Sequence, residues 1–228
     1  MTRVDMTSET SPLQAVFFDL DGTLIDSLAD IAESVNLMLD EHGFPRRAPS
    51  LFNEYVGDGV IKLIQRAVPE TVTDPAIIEA CMAGYLKHYD QLWHDQTRPY
   101  PGIEEAIQTL RAKGLKVGVI SNKPHHFTLL CCEHFFGAAA FDGVLGQRME
   151  VPRKPDAAGA LELAAMLGVD VHRCAYVGDS GVDMRFGVNA GMRRIGVRWG
   201  FRSEQELREN GAEILVSTAA QIVAFAEG

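Results

Sequence analysis

The chain has 228 residues, 46% of them hydrophobic and 23% charged, and a formal net charge of −10. That length holds one large domain or a core with a smaller companion, and no window is apolar over the ~20 residues that a membrane-spanning helix needs. The acidic balance argues against a nucleic-acid binder, which carries a basic patch or stripe. Any anionic ligand must therefore be drawn in by a few local charges. The opening residues, MTRVDMTSETSP, carry no apolar signal core, so 1–12 read as a flexible lead-in, with no export and the cytoplasm as the expected compartment. Cys81, Cys131, Cys132 and Cys174 lack C-x-x-C spacing, and reduced thiols are expected in place of a disulfide framework or a zinc site.

Residues 14–20 are a continuous apolar run, the pattern of a strand buried on both faces. From 27 to 93 the texture turns helical. Ile31, Val35, Met38 and Leu39 recur at helical spacing and Gly43 is a stop, VIKLIQRAV (60–68) repeats the pattern, and 75–93 is a longer third helix. This reads as an all-helical insertion of roughly 70 residues, able to pack as a unit. RPYPG (98–102) marks a hinge. Beyond it helices are expected over 103–113, 127–135, 157–167, 183–189, 204–210 and 219–226. Strands are expected over 116–121, 141–146, 174–178, 194–200 and 213–216. Such alternation predicts an α/β fold: a Rossmann-like parallel sheet wrapped on both faces, with an inserted helical unit.

Ligands of such sheets gather beyond the carboxyl ends of the strands. The first strand ends in Asp19-x-Asp21-Gly22-Thr23, the second in Ser121-Asn122-Lys123-Pro124, and the fourth in Gly178-Asp179-Ser180-Gly181-Val182-Asp183. After the third comes Arg153-Lys154-Pro155. This set suits a phosphate and a divalent cation. Asp19 and Asp179 could share a hard ion such as Mg²⁺. Lys154 offers a point charge, and the Ser121 hydroxyl and the backbone N–H groups near Gly22 and Thr23 offer donors. Residues i and i+2 of an extended segment face the same way, so Asp19 and Asp21 can address one phosphorus centre.

The order DxDGT, S-N, K-P, GDSxxD resembles the haloacid dehalogenase-like superfamily from residue 13 to the end of the chain. The resemblance implies that Asp19 is a nucleophile forming an aspartyl-phosphate and that Asp21 is the general acid and base. It implies Mg²⁺ held by the Asp19 carboxylate, the Asp21 main-chain carbonyl and Asp179, with Asp183 in support, and the phosphoryl group held by Ser121, Asn122 and Lys154 beside Gly22 and Thr23. It also implies a core of 13–25 and 98–228 and a mobile helical cap over 26–97. Finer features are similar to phosphoglycolate phosphatases: DGTLIDSLADIAESVN, YVGDGVIKLIQRA, RPYPGI, SNKP, VGDSGVDM and WGF…ELRENGAE. Ser121 stands where those proteins usually have threonine, and KPDAAG lacks a proline they often carry.

The expected partner is a small anionic phosphorylated substrate, 2-phosphoglycolate first. The alternatives are a phosphatase for a sugar phosphate, nucleotide or pyrophosphate, and a sugar-phosphate mutase. No nucleic-acid or membrane partner is expected, and the chain is read as a monomer or homodimer. In the cap, Gly57 and Gly59 would allow close backbone approach to substrate, and Arg66 would fork onto a substrate carboxylate. The competing reading starts a helix at Asp58 and leaves Arg66 in solvent. Lys123 is open between substrate and solvent. His125 and His126 read as a polar helix start, Asp26 and Ser27 as helix capping or substrate contact, and Trp93 and Trp199 as packing residues.

Overall fold

The structure, a computed structural model, describes residues 12–227. The expected lead-in therefore lies outside the described residues except for Pro12, whose carbonyl accepts the Arg173 Nε–H at 3.0 Å. In chain order the elements are β1 (Ala15–Phe18), β2 (Ile25–Asp26), α1 (Leu28–Glu41), α2 (Phe52–Tyr55), α3 (Val60–Ala67), α4 (Pro75–Leu92), β3 (Arg98–Pro99) and α5 (Ile103–Ala112). There follow β4 (Lys116–Pro124), α6 (His125–Phe136), β5 (Gly143–Gln147), α7 (Ala158–Leu167), β6 (Cys174–Gly178), α8 (Gly181–Ala190), β7 (Arg193–Val197), α9 (Glu204–Glu209), β8 (Ile214–Val216) and α10 (Ala219–Glu227).

Six strands form one parallel sheet in the order β5-β4-β1-β6-β7-β8. Its faces follow from the two-residue period of a strand. Val16 and Phe18 point into one apolar cluster with side chains of α5, α6 and α10, whereas Ala15 and Phe17 point into a second with α7 and α8. That is why the strands read as unbroken apolar runs. The chain moves outward from β1 through β4 to β5, then crosses back to β6 and proceeds the other way. The carboxyl ends of β1, β4 and β6 thus meet at the switch point, where ligand crevices form in such sheets.

Helices α1 to α4 lie between β2 and β3, which pair antiparallel (Ile25 with Pro99, Asp26 with Arg98) at the ends of the helical segment. These two-residue strands, and α2, have no periodic signal and were not expected. The first-turn carboxylate of α1 braces the junction. Buried Asp30 accepts the N–H groups of Gln96 (3.0 Å) and Thr97 (2.8 Å) and the Thr97 hydroxyl (2.6 Å). The apolar side of α1, with Ile31, Val35, Met38 and Leu39, joins the same cluster as the sheet face carrying Phe18. All four cysteines are free and buried. No helix among the described residues is long and apolar enough to cross a membrane.

Candidate active site

Asp19 sits just past β1, its N–H still donating to the Val177 carbonyl of β6 at 2.9 Å. There the chain turns back. Gly22 adopts φ +81°, and a Cβ on it would overlap the Asp179 carboxylate, so this position needs glycine for its backbone and for the close approach. The Gly22 N–H donates to the Ile25 carbonyl (2.9 Å) and the Thr23 N–H to the Leu20 carbonyl (3.2 Å). The N–H groups of Gly22 and Thr23 themselves are thus spent on closing the turn that aims Asp19 and Asp21, which leaves any phosphate donor to neighbouring N–H groups.

Asp19, Asp179 and Asp183 are buried, and each offers a carboxylate oxygen within 4.8 Å of the others. Lys154, also buried, places Nζ 2.9 Å from Asp19 Oδ1, 2.8 Å from Asp183 Oδ1 and 2.9 Å from the Tyr176 hydroxyl. Asp183 also accepts the Ser180 N–H (3.0 Å) and hydroxyl (2.6 Å) on Oδ2, so it both caps α8 and pins Lys154. The Phe201 N–H donates to Asp179 Oδ2 at 2.7 Å. Burial pushes the Asp19 carboxyl up to about 6 against the pull of Lys154. Burial, then the charges of Asp183 and Asp19, raise Asp179 well above the carboxylate range. Burial by itself lowers the Lys154 pKa, but the charges of Asp183 and Asp19 outweigh it and hold the ammonium well above its usual range. Three carboxylates thus cluster where one ammonium pairs with two of them, Asp19 and Asp183. The excess negative charge, on oxygens alone, fits a hard divalent cation.

A cleft of about 40 Å³ opens beside the cluster, bounded on the sheet side by Asp19, Asp21, Ser121, Asn122 and Lys123. Across it stand Ile31, Val56, Gly57, Gly59, Leu63 and Tyr85 of the helical segment. The Asp21 carboxylate turns away from the three-acid cluster. It receives the Ser27 hydroxyl at 2.6 Å and the Lys123 ammonium at 2.9 and 3.0 Å. The sequence leaves Lys123 open between substrate and solvent, and the structure points it into the cleft. It is buried, and Nζ lies 4.5 Å from the centre of the Tyr89 ring of α4. Its neighbours in SNKP were the available signal. Ser121 lines the cleft, and its Oγ accepts the Lys123 N–H at 3.3 Å.

Two expectations are corrected. The Asn122 side chain lines the cleft but is engaged with the protein: Oδ1 accepts the Lys154 N–H (2.9 Å), and Nδ2 donates to the carbonyls of Gly57 (3.0 Å) and Lys154 (3.2 Å). It fixes the main chain of Lys154 and is not free to bind a phosphate. Arg66 is exposed and does not line the cleft. Its guanidinium donates to the carbonyls of Glu54 (3.2 Å) and Tyr55 (3.0 Å) and pairs with Asp58 at 2.5 Å, bracing the turn below α3. Gly57 (φ +121°) and Gly59 (φ +85°) do line the cleft, and α3 begins after Gly59, not at Asp58. Ser27 serves Asp21 and makes no cap bond to α1. Trp93 packs on His134 and Phe135, whereas Trp199 both packs and donates Nε1–H to the Thr23 carbonyl at 3.1 Å.

Residues 13–191 match the profile of the haloacid dehalogenase-like hydrolases. The chain belongs to the haloacid dehalogenase-like hydrolase family. A phosphoglycolate phosphatase of Chromobacterium violaceum is 30% identical over 92% of this chain and 95% of its own length. A second, from Thiobacillus denitrificans, is 30% identical over 95% and 96%. Among solved structures, a protein assigned as a phosphoglycolate phosphatase from Lactobacillus delbrueckii subsp. bulgaricus superposes with a TM-score of 0.88. It is 29% identical and covers 95% of this chain and 99% of its own. In this haloacid dehalogenase-like hydrolase the carboxylates beyond β1 and β6 come together at one rim of the sheet.

Proposed function

We propose that the protein is a Mg²⁺-dependent phosphatase that hydrolyses a small phosphomonoester through an aspartyl-phosphate, with 2-phosphoglycolate as the leading substrate. The chain is a phosphoric monoester hydrolase. The observation that carries the finer reading is the buried trio Asp19, Asp179 and Asp183, with Lys154 paired to Asp19 and Asp183 and with Asp19 and Asp21 lining one cleft.

Asp19, Asp179 and the Asp21 main-chain carbonyl would hold Mg²⁺, with Asp183 in support; the bound ion would supply positive charge against the phosphoryl oxygens. Lys154 binds a phosphoryl oxygen, and Ser121 offers it a hydroxyl. An Asp19 oxygen attacks phosphorus as the ester P–O bond breaks, and Asp21 donates its proton to the departing oxygen. Asp21 then takes a proton from water, the resulting hydroxide attacks the phosphorus of the aspartyl-phosphate, and phosphate leaves with Asp19 regenerated. The segment 26–97 acts as the cap that shields these steps from bulk water. Lys123 is the one cation among the described residues lining the cleft, and it replaces Arg66 as the group that would face a substrate carboxylate. Four free, buried thiols suit the cytoplasm.

Phosphate release with Mg²⁺ from 2-phosphoglycolate, sugar phosphates, nucleotides and pyrophosphate tests the reading. The expected result is a kcat/KM for 2-phosphoglycolate well above the rest. In Asp19→Asn turnover should fall by ~10⁴-fold or more, the scale of losing a catalytic group. A different preferred ester would overturn the substrate, and an active Asp19→Asn the mechanism.

A further inference from the structure

Three side chains of the sheet unit converge on the main-chain carbonyls of one short stretch across the cleft. Arg202 Nη2 donates to Glu54 (3.1 Å) and Val56 (2.9 Å), Asn122 Nδ2 to Gly57 (3.0 Å), and Arg153 Nη1 to Asp58 (3.3 Å). Arg66 covers the Tyr55 carbonyl from within the helical segment. Every carbonyl from Glu54 to Asp58 thus has a side-chain donor. The short α2 leaves carbonyls without helical partners here, and guanidinium groups make strong, directional bonds to such acceptors.

The donors come from three separate loops, and each is bound to the site chemistry through its chain neighbour. Asn122 follows Ser121 and holds the Lys154 N–H. Arg153 precedes Lys154. Arg202 follows Phe201, whose N–H donates to Asp179. The fit at the seam is close. A Cβ on Gly59 would meet Arg153 Nη1 at 3.1 Å and the Asn122 carbonyl at 3.4 Å, and Arg202 Nη1 is buried with no hydrogen-bond partner among the described residues. A guanidinium gives up water at that end only where its other bonds hold it in place.

We propose that Asn122, Arg153 and Arg202 form a clasp that seats residues 54–58 over the cleft, and that Arg153 and Arg202 are positioning residues for the departing group of the substrate. The clasp grips backbone and not side chains, so it fixes where Gly57 and Gly59 stand whatever their neighbours are. Because its three donors flank Ser121, Lys154 and the Asp179 contact, the loop is registered against the phosphoryl site itself, where a misplacement of ~1 Å is costly to rate. The proposal rests on reading this cleft as the phosphatase site.

The test uses the full chain with Arg153→Met, Arg202→Met and the conservative Arg202→Lys. Spin labels on Lys62→Cys in α3 and Glu105→Cys in α5 report the separation of the two units without any ligand. The clasp predicts a narrow distance distribution in the parent, a broader and longer one in both Met variants, and partial recovery in Arg202→Lys. It also predicts a KM raised about tenfold with a smaller change in kcat, while Tm stays within about 3 °C of the parent. Distance distributions and KM both unchanged in the two Met variants would overturn it. The label distances do not depend on which ester is cleaved, so failure of the substrate reading leaves a distinct signature.

Discussion

Asp21 is held from two sides, by the Ser27 hydroxyl and by Lys123, whose side chain is only 4% exposed. Burial alone would lower the Lys123 pKa, but the Asp21 charge wins and raises it, so Lys123 keeps its positive charge. Lys123→Met strands the Asp21 carboxylate. We expect urea denaturation to show a loss of about 3 kcal/mol, the scale for breaking a buried pair from one side. We also expect kcat to fall by up to ~10²-fold, the low end of a positioned general acid's contribution. An unchanged kcat would remove Lys123 from this role. The acids were legible because an apolar run that ends on Asp19 and Asp21 leaves their charge unexplained. Lys123 was not, because its environment is made by Tyr89, on a helix far upstream. Arg66 misled because a guanidinium near two glycines suggests a ligand fork, yet in three dimensions it is taken up by the Asp58 carboxylate and the carbonyls of Glu54 and Tyr55.

Helix starts carry two devices that pattern reading did not assign. The first is Asp30 in the first turn of α1, which gathers Gln96 and Thr97 at the junction below β3. Asp30→Ala leaves the N–H and hydroxyl of buried Thr97 unmet, and should cost about 3 kcal/mol in denaturant melts; a cost near zero would mean that the junction repacks freely. The second is His125 at the start of α6, where Nδ1 accepts the Gly146 N–H at 3.0 Å. Burial, then the charge of Arg148, lowers its pKa below the usual 6.5. The folded state therefore favours the neutral ring, and an unfolded chain takes up the proton first. This contribution is complete above pH ~6.5 and is lost as pH falls through that value toward the lower folded pKa. The stability advantage of the parent over His125→Asn should accordingly shrink between pH 7 and pH 5. A constant difference across that range would sink the argument. The sequence placed His125 and His126 at a helix start, but the acceptor role depends on β5 passing alongside, which helical spacing does not encode.

At the scale of the molecule, alternating helix and strand patterns made the wrapped sheet legible, because strands buried on both faces must be apolar throughout. The clasp was illegible for a physical reason: its acceptors are main-chain carbonyls, which every residue has. If Asp19, Asp179 and Asp183 hold a cation as proposed, stability should respond to it. Added Mg²⁺ at a hundredfold its dissociation constant should stabilise the fold by ~2.7 kcal/mol, and Tm should rise by about 5–10 °C over a chelator-treated sample; identical melts would empty the proposed site. The sheet order carries one more consequence. Ala15 of β1 pairs with Lys116 on one side and with Cys174 on the other. The strand that aims Asp19 is synthesised well before both of its neighbours. At ~5–20 residues per second, on the order of ten seconds pass on the ribosome before β4 exists. Throughout that interval Ala15, Val16, Phe17 and Phe18 form a sticky edge with no native partner, so the nascent chain is most vulnerable at the segment on which its chemistry will depend.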